Sequence, residues 1–192
     1  MSEALKEKIT DTEDDLQAFA HQLADLALGN EKHEYTVCFV CTGNTCRSPM
    51  AAAVTNYISQ NSEKSIGTRF ASDSEQNIVW KAISAGISPN PGEPISEGAK
   101  LALREAGILS TAENPWEMHR AERISDTIMK KSDIVVAISG QHALLLMACY
   151  PEYAGKIYAM PHDIPDPFGG DTVQYRECLN KIKNGIEELF GV

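Results

Sequence analysis

The chain has 192 residues, 43% of them hydrophobic, and a formal net charge of −10. That length supports one globular domain with a proper core, and the acidic balance, with no basic stripe, excludes nucleic acid and anionic membranes as main partners. The opening Met1-Ser-Glu-Ala-Leu-Lys6 is too polar for a signal peptide, the apolar stretch from Ala143 to Tyr150 is too short to span a bilayer, and five cysteines without framework spacing suit a reducing compartment. The expected location is cytoplasmic.

Residues 1–34 read as an acidic extension of a main domain over residues 35–192. In the extension Leu16, Phe19, Ala20, Leu23, Ala24 and Ala27 recur at helical spacing, Thr12 and Asp15 resemble a capping box, and Gly29-Asn30 supplies a stop. An extra amphipathic helix is expected there, although a partly ordered acidic tail fits the same composition. From Tyr35 onward strand and helix alternate. Tyr35 to Cys41 is β-branched and aromatic, a short buried strand; Pro49 to Tyr57 is helix. Residues 59–77, with five serines, read as loop. Ile78 to Ile83 reads as a second strand ending at Ser84-Ala85-Gly86, followed by a turn rich in proline and glycine. Ser96 and Gly107 bracket a helix, and Ile124 to Lys131 predicts a short one. Asp133 to Ile138 is nearly continuously apolar, as a central parallel strand covered on both faces should be. Gln141 to Cys149 returns to helix and Lys156 to Met160 to strand. The last helix starts at Asp171, with Gln174 completing a capping box and Tyr175, Cys178, Leu179, Ile182, Ile186 and Leu189 on one face. The alternation predicts an α/β fold, an open four-stranded parallel sheet with helices on both faces. Ligands of such sheets bind at the carboxyl ends of the strands.

The loop at the end of the first strand is Cys41-Thr42-Gly43-Asn44-Thr45-Cys46-Arg47-Ser48-Pro49. Small residues between a strand and a helix N-terminus turn backbone N–H groups inward, where they bind a tetrahedral oxyanion such as phosphate. Arg47 adds a planar fork for two phosphate oxygens, and the same positive field favours a thiolate at Cys41, a nucleophile for phosphoryl transfer. Such a thiolate needs a general acid for the leaving group. Asp166, in the proline-stiffened Pro161–Gly170 loop, is the candidate, because an adjacent negative charge favours its protonated form; Asp163 competes, and Asp171 is better explained as a helix cap. Cys46 is either a small residue under the loop or a resolving thiol for oxidised Cys41. Cys38 and Cys41 have the C-x2-C spacing of a metal site, but they point to opposite faces of a strand and no second pair follows, so no metal is expected. Cys149 and Cys178 fall on apolar helix faces and read as core. His21, His33 and His142 have only surface or packing explanations, His162 belongs to the acid loop, and Trp80 and Trp116 read as core and loop packing rather than substrate platforms, with exposure the alternative for Trp116 beside Pro115.

Cys41 to Pro49, together with Asp166-Pro167-Phe168-Gly169 further along, resembles the phosphate-binding loop and acid loop of the low-molecular-weight protein tyrosine phosphatase family. The resemblance runs from Tyr35 to the C-terminus. It implies that Cys41 attacks phosphorus, that Arg47 and the amides of Thr42, Gly43, Asn44, Thr45 and Cys46 hold the phosphoryl oxygens, and that Asp166 protonates the leaving atom and then assists water. It further implies that Ser48 donates to the thiolate, that Asn44 holds a strained turn buttressed by Ser84 and His119, and that Phe168 supports the substrate. Cys46 matches the family's second loop cysteine, which favours redox regulation through a Cys41–Cys46 disulfide. Thr45, where tyrosine-directed members carry isoleucine or leucine, and Gly169-Gly170, where they carry a second aromatic after Asp-Pro-Phe, resemble the protein-arginine phosphatase branch. The expected function is hydrolysis of phosphoarginine in phosphorylated protein substrates through a cysteinyl-phosphate, with no cofactor. The alternatives are phosphotyrosine hydrolysis, arsenate reduction, and non-catalytic binding of a phosphoprotein. The acidic extension and the long 59–77 stretch depart from the family pattern without interrupting a catalytic motif.

Overall fold

The computed structural model describes residues 34–61 and 79–191. The elements are β1 (Glu34–Cys41), α1 (Arg47–Asn61), β2 (Val79–Gly86), α2 (Glu97–Glu105), a 3-10 turn (Trp116–Met118), α3 (Asp126–Lys131), β3 (Ile134–Ala137), α4 (Gly140–Cys149), a 3-10 segment (Pro151–Lys156), β4 (Ile157–Ala159) and α5 (Thr172–Phe190). The strands form one four-stranded sheet in the order β2-β1-β3-β4, and every pairing is parallel. Chain order therefore runs one way from β1 to β2 and the other way from β1 to β3. The carboxyl ends of β1 and β3 open a crevice at this reversal.

Period-two alternation along β1 divides the interior in two. Tyr35, Val37, Phe39 and Cys41 face a large core with α1, α2 and α5, where Trp80 packs between Tyr35 and Phe190 at ring centroid distances of 5.5 and 5.2 Å. Cys38 and Val40 face a smaller core with α3 and α4. β3, between β1 and β4, is buried along its whole length, as its apolar run requires. Cys38 and Cys41 accordingly lie on opposite faces, and burial pushes the Cys38 thiol up to about 12.

Several element ends differ from the sequence expectation. α1 begins at Arg47 rather than Pro49 and runs to Asn61, past Tyr57 and through the start of the expected loop. Its third residue is Pro49, tolerated there because the N–H groups of a first turn have no intrahelical acceptor. β2 keeps its pairing as far as Cys41 opposite Gly86. A Cβ on Gly86 would lie 2.8 Å from the Thr42 carbonyl oxygen and 3.0 Å from Asn44 Cβ, so the phosphate-loop backbone rests on this glycine. α5 has the expected Asp171–Gln174 capping box, formed in both directions. Cys149 is exposed rather than core: α4 buries Ala143 and Leu146, packs Met147 partly against the smaller core, and leaves Leu144, Leu145, Ala148 and Cys149 facing outward. Trp116 is buried, with Arg104 over its ring at 5.9 Å. The expected helix over Thr12–Gly29 and residues 62–77 of the expected loop lie outside the described residues. Among the described residues no helix is long and apolar enough to cross a membrane.

Candidate active site

The loop from Thr42 to Cys46 crosses the crevice between β1 and β3 and delivers the chain into α1. Its tight path requires a left-handed residue, and Asn44 takes it at φ 54°. Four hydrogen bonds to its side chain and carbonyl hold that conformation. Asn44 Nδ2 donates to Ser48 Oγ (3.0 Å) and Ser84 Oγ (2.9 Å), Oδ1 accepts from the Glu122 N–H (2.9 Å), and the carbonyl accepts from His119 Nε2 (2.7 Å). Asn44 is fully buried, and its amide is satisfied at both ends. A carbonyl can only accept, so His119 carries a proton on Nε2.

Burial holds His119 below the ordinary histidine range, aided by the Arg120 charge and opposed by the bond to Asn44. As pH falls through 6.5 the unfolded chain takes up a proton that the folded ring resists, so stability present above that pH is lost below it. The midpoint of thermal unfolding should fall between about pH 7.5 and about pH 5.5, and His119→Gln should reduce the fall. An equal fall in both proteins would overturn this.

Cys41 ends β1 with its sulfur against the loop and is 2% exposed. The Asn44 N–H donates to its Sγ at 3.3 Å, and Ser48 Oγ lies 3.0 Å away. The single Ser48 hydroxyl hydrogen also has the Ala85 carbonyl within 3.3 Å, so it can turn to the sulfur when that sulfur is ionised. Arg47, buried in the first turn of α1, donates to the Ile164 carbonyl (3.3 Å) and to Asp166 Oδ2 (2.5 Å). Its Nε is buried without a hydrogen-bond partner. The other Asp166 oxygen accepts from the Phe168 N–H at 3.2 Å, so the acid loop folds back on its own carboxylate. Cys41, Arg47 and Asp166 thus meet at one cavity of about 230 Å³, which Thr45 and Phe168 also line. Asp163 does not reach this cavity; its Oδ1 accepts from the Gly140 N–H at the start of α4.

Cys46 lies on the protein side of the loop. Its thiol donates to Ser96 Oγ (3.2 Å) and meets the Tyr175 hydroxyl at 3.4 Å. Burial and that contact raise Tyr175 to about 12, so the phenol keeps its proton. Cys178 is buried in the core, and His162 is exposed near Glu188 at 3.7 Å. Sequence reasoning missed two groups. Ser88, Asn90 and Glu93, from the turn after β2, line the cavity, and Asn90 donates to Glu93 Oε2 at 3.3 Å. His142, read as packing, binds Thr42 Oγ1 through Nε2 at 2.9 Å, while its Nδ1 pairs with Ser139 Oγ at 2.6 Å. The parallel-sheet rule carried part of the signal for His142, by placing the loop after β3 at the same end of the sheet as the loop after β1; the strand order that makes them neighbours comes from the structure.

The model of the family described as low molecular weight phosphotyrosine protein phosphatase matches residues 36–191. A protein-arginine-phosphatase of Geobacillus stearothermophilus is 29% identical over 162 residues, covering 81% of this chain and 93% of that protein. A low molecular weight protein-tyrosine-phosphatase of Streptomyces coelicolor is 28% identical over 161 residues, covering 78% and 87%. Among solved structures, a low molecular weight protein tyrosine phosphatase from T. tengcongensis matches with a TM-score of 0.68 at 31% identity, covering 82% of this chain and 98% of that one. The arginine phosphatase from Geobacillus stearothermophilus matches with a TM-score of 0.64 at 28% identity, covering 82% and 91%. With a match that runs from β1 to the end of α5 and takes in the loop, the acid and the sheet that carries them, this chain belongs to the low molecular weight phosphotyrosine protein phosphatase family.

Proposed function

We propose that the protein is a cytoplasmic protein-arginine phosphatase whose catalytic domain spans residues 35–192 and whose first 34 residues are an extension. The Cys41 thiolate attacks phosphorus; the S–P bond forms as the P–N bond breaks, and the electron pair leaves on the guanidine nitrogen, which Asp166 protonates. Water then attacks the cysteinyl-phosphate, giving its proton to Asp166 while the S–P electron pair returns to sulfur. Arg47 and the N–H groups of residues 42–46 hold the phosphoryl oxygens throughout, and the buried, unpartnered Arg47 Nε is one donor available for them. Asn44, with Ser84 and His119 behind it, keeps the loop in its anion-binding form. Phe168 shields the leaving group, and no cofactor enters. On oxidation of Cys41 to a sulfenic acid, the Cys46 thiol would condense with it, forming a disulfide and water.

The observation that carries the substrate choice is the charge on the cavity wall. Beside Arg47, which the phosphoryl group occupies, the charged side chains lining it are the carboxylates of Asp166 and Glu93. A guanidinium gains from the Glu93 charge and from a hydrogen bond to the Asp166 carboxyl, and a phenyl ring gains from neither. Thr45, 7% exposed on the same wall, puts a polar β-branched side chain where a ring would need an apolar one. Phosphotyrosine hydrolysis is the second reading, favoured by Phe168, whose ring is 69% exposed at the rim and free to stack. Matched phosphoarginine and phosphotyrosine peptides decide between them through kcat/KM. We expect phosphoarginine to be preferred, and Thr45→Ile to swing the ratio toward phosphotyrosine by about 10–100-fold. A wild-type preference for phosphotyrosine, or no swing, would overturn the substrate assignment and leave the chemistry intact.

A further inference from the structure

Thr42, Arg47 and Asp166 wall the phosphate cavity on one side and a second, larger depression of about 500 Å³ on the other. Ile87 from the turn after β2, Leu145 from α4 and Pro165 from the acid loop give this groove an aliphatic lining, with the buried Ile164 at its floor. Leu145 is 47% exposed, held outward by a helix that buries Ala143 and Leu146 instead. The polar groups beside it are largely committed. Ser139 pairs with His142, His142 with Thr42, and one Asp163 oxygen with the Gly140 N–H. The groove therefore offers apolar contact more than hydrogen bonds. Its full charges are Asp163, Asp166 and an Arg47 already paired with Asp166. Burial and the Arg47 charge hold His142 below the ordinary histidine range, so it adds no positive charge near neutrality. An acidic side chain is repelled here and an aliphatic one is not.

The cavity shares Thr42, Arg47 and Asp166 with the groove, so a substrate chain that leaves the cavity on this side, rather than over Asn90, Glu93 and Phe168, passes directly into it. We propose that the groove is a subsite for an aliphatic side chain on the residue immediately next to the phosphorylated one in a protein substrate. This inference rests on the protein phosphatase reading above, and it holds for either phosphorylated residue.

The test uses the full chain and peptides that carry one phosphoarginine or one phosphotyrosine, flanked on both sides by leucine, serine or aspartate. Leucine flanks should raise kcat/KM about tenfold over serine flanks, mainly through KM, and aspartate flanks should lower it. Leu145→Glu, at a half-exposed position that threatens no core, should erase the leucine advantage. Turnover of p-nitrophenyl phosphate, too small to reach the groove, should stay unchanged in that variant. Hydrolysis of the peptides without regard to flank, or a leucine advantage that survives Leu145→Glu, overturns the subsite and leaves the phosphatase reading standing. Hydrolysis of p-nitrophenyl phosphate with neither peptide series touched overturns the protein-substrate reading and the subsite with it.

Discussion

Cys41→Ser should lower kcat by at least about 10⁴-fold while the fold and the affinity for inorganic phosphate survive. The loss comes from ionisation, not from shape. The donors around the sulfur, the Asn44 N–H at 3.3 Å and Ser48 Oγ at 3.0 Å, suit a thiolate and would serve a serine oxygen equally well as hydrogen-bond partners. They cannot ionise an alcohol near neutral pH, and among the described residues no side-chain base is hydrogen-bonded at this position: the Asp166 carboxylate is tied to Arg47 and to the Phe168 N–H. The variant should therefore keep the anion site and lose the nucleophile. Steady-state hydrolysis of p-nitrophenyl phosphate measures the first half, and protection against thermal unfolding by inorganic phosphate measures the second. Residual activity within about tenfold of wild type would mean that another group attacks phosphorus. Loss of phosphate protection would mean that the sulfur holds the loop together.

The sequence made the loop legible because its parts are contiguous: Cys41, the left-handed Asn44, Arg47 and Ser48 lie within the nine residues from Cys41 to Pro49. Asp166 was legible for a different reason, since prolines on either side of it mark a stiff turn rather than a helix or strand. Groups that reach the loop across the fold were harder to see. Thr42 and His142 stand 100 residues apart, and their bond depends on β3 lying next to β1, which alternation of strand and helix does not by itself dictate. Glu93 reaches the cavity because the turn after β2 folds back over the loop, where Ser96 N–H donates to the Thr45 carbonyl at 2.9 Å. Cys149 misled because α4 is apolar on its exposed side as well as its buried one, which leaves periodicity nothing to separate. That same exposed side supplies Leu145 to the groove, so the misreading and the proposed subsite have one cause.

Asp166→Asn should lower kcat by about 10²–10⁴-fold on phosphoarginine peptides and far less on p-nitrophenyl phosphate. The amide can still accept from the Phe168 N–H at 3.2 Å, so the acid loop has no reason to move. What disappears is the proton. A guanidine nitrogen is a poor leaving group until protonated, whereas p-nitrophenolate departs as a stable anion, so dependence on the acid should follow the leaving group's basicity. A second consequence comes from the ion pair. In the native arrangement Arg47 must exchange the Asp166 carboxylate for a phosphoryl oxygen, and a neutral amide competes for the guanidinium less well. Inorganic phosphate should therefore bind the variant more tightly than the wild type even as turnover falls. A group that served only to hold Arg47 in place would give the opposite pair of results: weaker phosphate binding, and an equal loss of kcat on both substrates. The joint outcome of slower turnover with tighter phosphate is thus the signature that separates a proton donor from a structural ion pair.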